Sequence, residues 1–127
     1  MQEVGTGKVG VRLTPYNAFL DAYDSQPVKL FDYVTAECAK RGVLYVHMIE
    51  ARVKGNTDSE CTEDETLDSF AAAAHAGGAL FVAAGAFTKE TAAERLRSGK
   101  ADLVRRTRAC PYSRADAAAC VCFPLLI

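Results

Sequence analysis

The chain has 127 residues, half of them apolar, and a formal net charge of −1. That size and content suit one compact unit or a piece of a larger one, and the balanced charge argues against a nucleic-acid partner. No apolar run approaches the roughly 20 residues that span a bilayer, and Met1-Gln2-Glu3 opens no secretion signal, so the expectation is a soluble, cytoplasmic protein with no membrane partner.

Five cysteines, Cys38, Cys61, Cys110, Cys120 and Cys122, show no even spacing. They read as reduced thiols, and the lone Cys-x-Cys pair at Cys120 and Cys122 falls short of a structural zinc set, so no metal is expected. Gly5, Thr6, Gly7 and Lys8 have the residue types of a phosphate loop, but they precede a strand instead of following one and read as a flexible lead-in.

From Lys8 to Leu13 the chain is a β-branched run closed by Thr14 and Pro15. Pro15 has no N–H and takes the chain out of a sheet there. The run predicts a strand buried on both faces, in which Arg12 needs either a carboxylate or a bound anionic or electron-rich ligand, because unpaired buried charge is very costly.

Ser25 or Gln26 at the N-cap and Pro27 in the first turn predict a helix. Leu30, Val34 and Cys38, with Tyr33 beside them, give it an apolar face, and Gly42 after Arg41 stops it. Val43 to Ile49 is the next strand, and it delivers Glu50, Ala51 and Arg52 at its C-terminal end. His47 within it reads first as a hydrogen-bonded core residue and second as a pocket wall. Val53 to Glu65 is polar and acidic, a long surface loop without a hairpin signal.

Thr62 and Glu65 form a possible capping box for a helix bearing Leu67, Phe70, Ala71 and Ala74, ended by Gly77 and Gly78. Ala79 to Ala84 is a third strand. Gly85, Ala86 and Phe87 follow, and Thr88 N-caps a helix through Leu96 that Gly99 stops. A small-residue strand end, a glycine and a helix N-terminus in succession put backbone N–H groups where a phosphate can bind. Ala101 to Val104 reads as a fourth strand.

Strand, loop and helix recur about every 30 to 35 residues, as parallel α/β units do. Four such units make either a small doubly wound sheet or half of an eight-stranded barrel of about 250 residues. In both, function sits at the C-terminal strand ends, where Arg12, Arg52 and Gly85 fall.

Four segments, Val11 to Tyr16, Leu44 to Arg52, Ala83 to Thr88 and Gly99 to Val104, resemble in order and spacing the second half of the old yellow enzymes, the plant 12-oxophytodienoate reductases in particular. The resemblance implies the C-terminal half of a (β/α)₈ TIM barrel of about four βα units, residues 1–104 supplying strands five to eight. It also implies FMN as cofactor, NADPH as reductant, and reduction of the C=C bond of an α,β-unsaturated carbonyl such as an oxylipin enone. Arg12 would lie against the N1/O2 edge of the flavin, where fixed positive charge stabilises the anionic reduced ring. Arg52 would line the substrate pocket, and backbone N–H groups at Gly85 and Ala86 would hold the FMN phosphate, aided by the helix that follows.

The same resemblance assigns no catalytic residue to this chain. The family's carbonyl-polarising His pair and proton-donating Tyr come from an earlier strand, and neither His47 nor His75 replaces them. Ala86 stands where the family commonly has a glycine or an asparagine. After Val104 the likeness ends: residues 105–127 form a divergent, irregular tail whose Ala, Arg and Cys content has no helical or strand period, as translation in a shifted frame produces. Arg108 falls opposite the family's phosphate arginine, with Thr107 in place of its glycine.

Two expectations follow. One is an FMN-dependent ene-reductase in oxylipin metabolism. The other is a truncated, catalytically inactive paralogue that acts at most as a binding or interaction fragment, self-associating or pairing with another half-barrel.

Overall fold

The computed structural model describes residues 4–17, 21, 23–54, 57–58 and 65–105. Its elements are β1 (Gly10–Leu13), α1 (Pro27–Lys40), β2 (Tyr45–Ile49), β3 (Val53–Lys54), β4 (Thr57–Asp58), α2 (Asp68–Ala76), β5 (Leu80–Ala84), α3 (Lys89–Arg97) and β6 (Leu103–Arg105). β1, β2, β5 and β6 pair in parallel, in that spatial order. Successive strands are neighbours with a helix between them, so the order never reverses as it does in a doubly wound sheet. This is a stretch of barrel wall, a partial (β/α)₈ barrel.

One face of the sheet carries the core. Val46, Met48, Phe81 and Ala83 are buried against Ala39 of α1, Phe70, Ala71 and Ala74 of α2, and Ala92 of α3. The small residues let the helices come close: a Cβ added to Gly77 would stand 2.3 Å from the Ala39 Cβ. That approach selects the buried side of α1, which is Thr35 and Ala39 with Phe31 and Cys38 partly covered. The expected face was centred elsewhere. Leu30 and Tyr33 are 41% and 67% exposed.

Local chemistry explains the helix ends. Pro27 opens α1 at its first turn, and the Gln26 N–H before it donates to Asp24 Oδ1 at 2.7 Å. Gly42, at φ +76°, ends it. Thr88 caps α3 through a reciprocal pair with Thr91, each backbone N–H donating to the other's hydroxyl. At the N-terminal edge of the sheet, Asp102 Oδ2 accepts the Phe81 N–H at 2.7 Å and lies 2.8 Å from His75 Nε2, joining α2, β5 and the approach to β6.

Several expectations are corrected. β1 is not buried on both faces: Gly10 and Arg12 are exposed, because among the described residues β1 pairs only with β2 and helices cover one face of the sheet. β3 and β4 form an antiparallel pair, Val53 opposite Asp58 and Lys54 opposite Thr57, where only a loop was expected; two residues per strand are too few to show alternation. α2 begins at Asp68 with Leu67 at its N-cap and no side-chain cap, while Thr62 of the anticipated capping box lies outside the described residues. Burial of Leu67, fully covered, sets that start. β6 runs to Arg105, one residue past the expected boundary, and residues 106–127, the rest of the anticipated tail, lie outside the described ones. Among the described residues no helix is long and apolar enough to cross a membrane.

Candidate functional site

The parallel register sorts the uncovered face of the sheet into rows. Gly10, Tyr45 and Leu80 form the first, Arg12, His47, Val82 and Leu103 the second, and Ile49, Ala84 and Arg105 the third, at the C-terminal strand ends. Residues in one row share a face, as do residues two apart along a strand. In the first row the Tyr45 ring fills the space over Gly10, where an added Cβ would meet it at 2.1 Å. The second row holds the polar groups. Burial, then the charges of Arg12 and Arg105, push the His47 imidazole below its ordinary range and keep it neutral. Its Nε2 is buried without a hydrogen-bond partner among the described residues. The hydrogen bond expected of a core histidine is thus missing at Nε2 among the described residues.

At the strand ends a second group assembles. The Glu50 N–H donates to Ala84 O at 2.7 Å and continues the β2–β5 ladder, and the chain then turns through Ala51 and Arg52. Arg52 Nε donates to Gly85 O at 3.0 Å, and its guanidinium lies 4.6 Å from the centre of the Phe87 ring. Gly85, at φ +126°, packs so tightly on Glu50 that a Cβ would stand 2.9 Å from Glu50 Cβ. Ala86 follows at φ +41°. Two successive residues of positive φ thus turn the chain sharply at the end of β5. In the α3 first turn, the N–H groups of Thr88 and Thr91 are already bonded within the capping pair, so part of the helix terminus expected to assist is committed.

A charged layer supports both groups. Arg95 Nη1 bonds Asp68 Oδ1 at 2.7 Å, Lys100 Nζ bonds Asp68 Oδ2 at 2.6 Å, and Arg95 Nη2 lies 3.5 Å from Glu50 Oε1. Burial raises the Glu50 carboxyl above its ordinary value and outweighs the opposing pull of Arg95 and Arg52. Burial also works against the Asp68 carboxylate, but Lys100 and Arg95 together hold it below its ordinary value. Beside Glu50 a small cavity is lined by Thr14, Tyr16, Asn17, Ile49, Glu50 and Val53. The Tyr16 hydroxyl donates to Thr66 O at 2.8 Å, and its pKa is pushed up to about 12, by burial first and then by Glu65, Asp32 and Glu50.

Of the residues singled out in the sequence, Arg52, Gly85 and Ala86 come together at one strand end, and Arg12 lies on the same sheet two strands away. Arg108 lies outside the described residues. The Glu50–Arg95–Asp68 cluster and the Tyr16–Thr66 bond were not anticipated; no spacing links residues so far apart, although a charged residue at a strand end was signal enough to suspect Glu50. Among the described residues no three His, Cys, Asp or Glu side chains could hold a metal.

No protein-family model matches the chain. It is 34% identical over 110 residues to 12-oxophytodienoate reductase 2 of Arabidopsis thaliana, a match covering 81% of this chain and 26% of that protein. It is also 34% identical over 117 residues to the flavin oxidoreductase hxnT of Emericella nidulans, covering 81% of this chain and 30% of that protein. Among solved structures, morphinone reductase superposes with a TM-score of 0.64 and 25% identity, over 81% of this chain and 26% of its own. The old yellow enzyme of Trypanosoma cruzi shares the fold at a TM-score of 0.62 and 21% identity, over 81% of this chain and 25% of its own. The chain thus spans about a quarter to a third of the length of the relatives it matches.

Proposed function

We propose that this chain, a relative of the old yellow enzymes and 12-oxophytodienoate reductases, carries the flavin-facing side of an ene-reductase site. The residues fit the cofactor. The second row of the sheet presents Arg12, an unpartnered His47 nitrogen and the apolar Val82 and Leu103, a surface suited to a flat, electron-rich heterocycle. The Gly85–Ala86 turn suits its phosphate. Bound FMN would supply hydride transfer to the C=C bond of an α,β-unsaturated carbonyl, with NADPH as reductant.

Around it, Arg12 would hold the electron-rich edge of the ring, backbone N–H groups at Gly85 and Ala86 would hold the phosphate with Arg108, and Arg52 would face the substrate. An oxylipin enone as substrate and a cytoplasmic location belong to the same reading. The observation that carries it is the alignment of Arg12 and His47 on one face of the sheet, one row short of the strand ends from which the Gly85 turn leaves. Titrating the purified chain with FMN, and measuring cyclohexenone-dependent NADPH oxidation, tests it. Retention of flavin that Arg12→Ala weakens supports the reading; no flavin uptake refutes it.

A second reading is favoured by exposed apolar groups on that same face. Tyr45 and Leu80 are 37% and 42% exposed in the first row. A fragment that closes its sheet against another half-barrel would cover them, and it would bind flavin only as a dimer or hetero-complex. Flavin uptake that appears only above a dimerisation threshold would favour this reading.

A further inference from the structure

We infer that the face of the sheet that no helix covers among the described residues is a two-ended anion site, in which Arg12 holds one end of a flat ligand and Arg105 holds the other. Arg105 has no role in the family resemblance, which ends at Val104. The inference rests on the flavin reading for the identity of the ligand, whose phosphate Arg105 would take, and on the register of the sheet for the rest. Arg105 is the register partner of Ala84, the residue that leads into Gly85. It therefore stands at the C-terminal strand ends, one row beyond His47 and Val82, while Val104 before it packs against the core on the opposite face.

Charge on this face is of one sign. None of the strand residues in its three rows is a carboxylate. Arg12 and Arg105 are both exposed, and neither has an ion-pair or hydrogen-bond partner among the described residues. Arg52 and Arg95, by contrast, are committed, the first to the Gly85 carbonyl and the Phe87 ring, the second to Asp68. Two uncommitted cations with nothing negative between them draw an anionic ligand. Their spacing decides its shape. β1 and β6 are the outer strands of the four, so three spacings of about 4.8 Å put the two arginines roughly 14 Å apart across the sheet. Such a separation suits the two ends of an extended ligand better than a single small anion. Between them lie Val82 and Leu103, half-buried and apolar, and His47, whose imidazole is kept neutral by burial and then by both arginines. A neutral, mostly apolar middle with a cation at each end fits flavin mononucleotide, which has an electron-rich ring edge at one extremity and a phosphate at the other.

The test uses the full chain and the variants Arg105→Ala, Arg105→Lys and Arg12→Ala, all at exposed positions where truncation removes charge and leaves the core intact. Fluorescence titrations compare FMN with riboflavin, which lacks the phosphate. Arg105→Ala is expected to weaken FMN about tenfold and riboflavin less than twofold, with partial rescue by Arg105→Lys, whose ammonium keeps the charge but not the paired donors. Arg12→Ala, at the ring end, is expected to weaken both flavins by the same factor. An equal loss of FMN and riboflavin in Arg105→Ala overturns the inference, as does FMN binding that this variant leaves unchanged. If the wild-type chain takes up neither flavin, the flavin reading fails and a titration with inorganic phosphate, followed by NMR, decides instead. A saturable shift of the Ala84 amide that Arg105→Ala abolishes supports the phosphate end, and no shift overturns it.

Discussion

Arg12 and His47 are register partners on adjacent parallel strands and share the face of the sheet that no helix covers among the described residues. Burial and the neighbouring charges of Arg12 and Arg105 make the folded imidazole harder to protonate than an ordinary one. As pH falls, the unfolded chain takes up this proton first. Stability is therefore complete above the ordinary value of 6.5 and is lost as pH drops below it. Urea unfolding midpoints are expected to fall between about pH 7 and pH 5, and His47→Gln should flatten that slope. Arg12→Ala should move the imidazole titration, followed by NMR, only part of the way up, because burial is the larger cause. A titration that does not move would show that the two side chains diverge in solution.

Two glycines with positive φ separate conformation from packing. Gly78 is at φ +82° with nothing within 4 Å of an added Cβ, whereas Gly85 is at φ +126° with Glu50 Cβ at 2.9 Å and the Glu50 nitrogen at 3.2 Å. Gly78→Ala is expected to cost about 1 kcal/mol, the ordinary penalty of left-handed backbone. Gly85→Ala adds overlap with backbone that cannot swing aside, and is expected to cost about 3 kcal/mol or more. Chemical denaturation of the pair checks this, and equal losses would mean that the strand end at Glu50 yields.

What the sequence made legible follows from the range of each signal. Pro27, Gly42, Thr88 and Gly99 act within a few residues, and they mark the ends of α1 and α3 where the structure has them. The parallel order of the strands was readable because each apolar run recurs with a helix between. The buried side of α1 was not, because it is set in part by the close approach of Gly77 to Ala39, residues distant in the sequence. The site divided in the same way. Arg12 and Gly85 announced themselves by residue type at strand ends, but the hydrogen bond from Arg52 to Gly85 joins side chain and backbone 33 residues apart, a pairing that no local pattern encodes.

Thr35 offers a stabilising change. It is fully buried on α1, and its Oγ1 has no hydrogen-bond partner among the described residues. A buried hydroxyl without a partner has lost water and gained nothing, so replacing it with a methyl group of the same shape removes a penalty. Thr35→Val is expected to raise stability by about 1 kcal/mol, since the two β-branched residues have similar helix propensity. A rise in the thermal midpoint with unchanged helix content is the readout. A loss of stability would mean that the hydroxyl is satisfied in solution, by water or by the helix backbone.

Tyr16 sets the alkaline edge of the strand-end cluster. Its hydroxyl donates to Thr66 O at 2.8 Å, and burial, followed by the charges of Glu65, Asp32 and Glu50, pushes its pKa from 10.0 to about 12. The unfolded phenol gives up its proton near the ordinary value, while the folded one keeps it to higher pH. The Tyr16 contribution is therefore complete below pH 10 and is lost as pH rises from there towards about 12. Tyr16→Phe removes both the hydrogen bond and the titration. At neutral pH it is expected to cost about 1 kcal/mol, the usual worth of one such bond. Above pH 10 the wild type should lose stability faster than the variant, so the gap between them closes. Denaturant unfolding of both proteins between pH 8 and about pH 11.5 measures that gap, with the lysines common to both acting as the internal control. Parallel curves would show that the Tyr16 hydroxyl is not buried beside Glu65, Asp32 and Glu50 in solution.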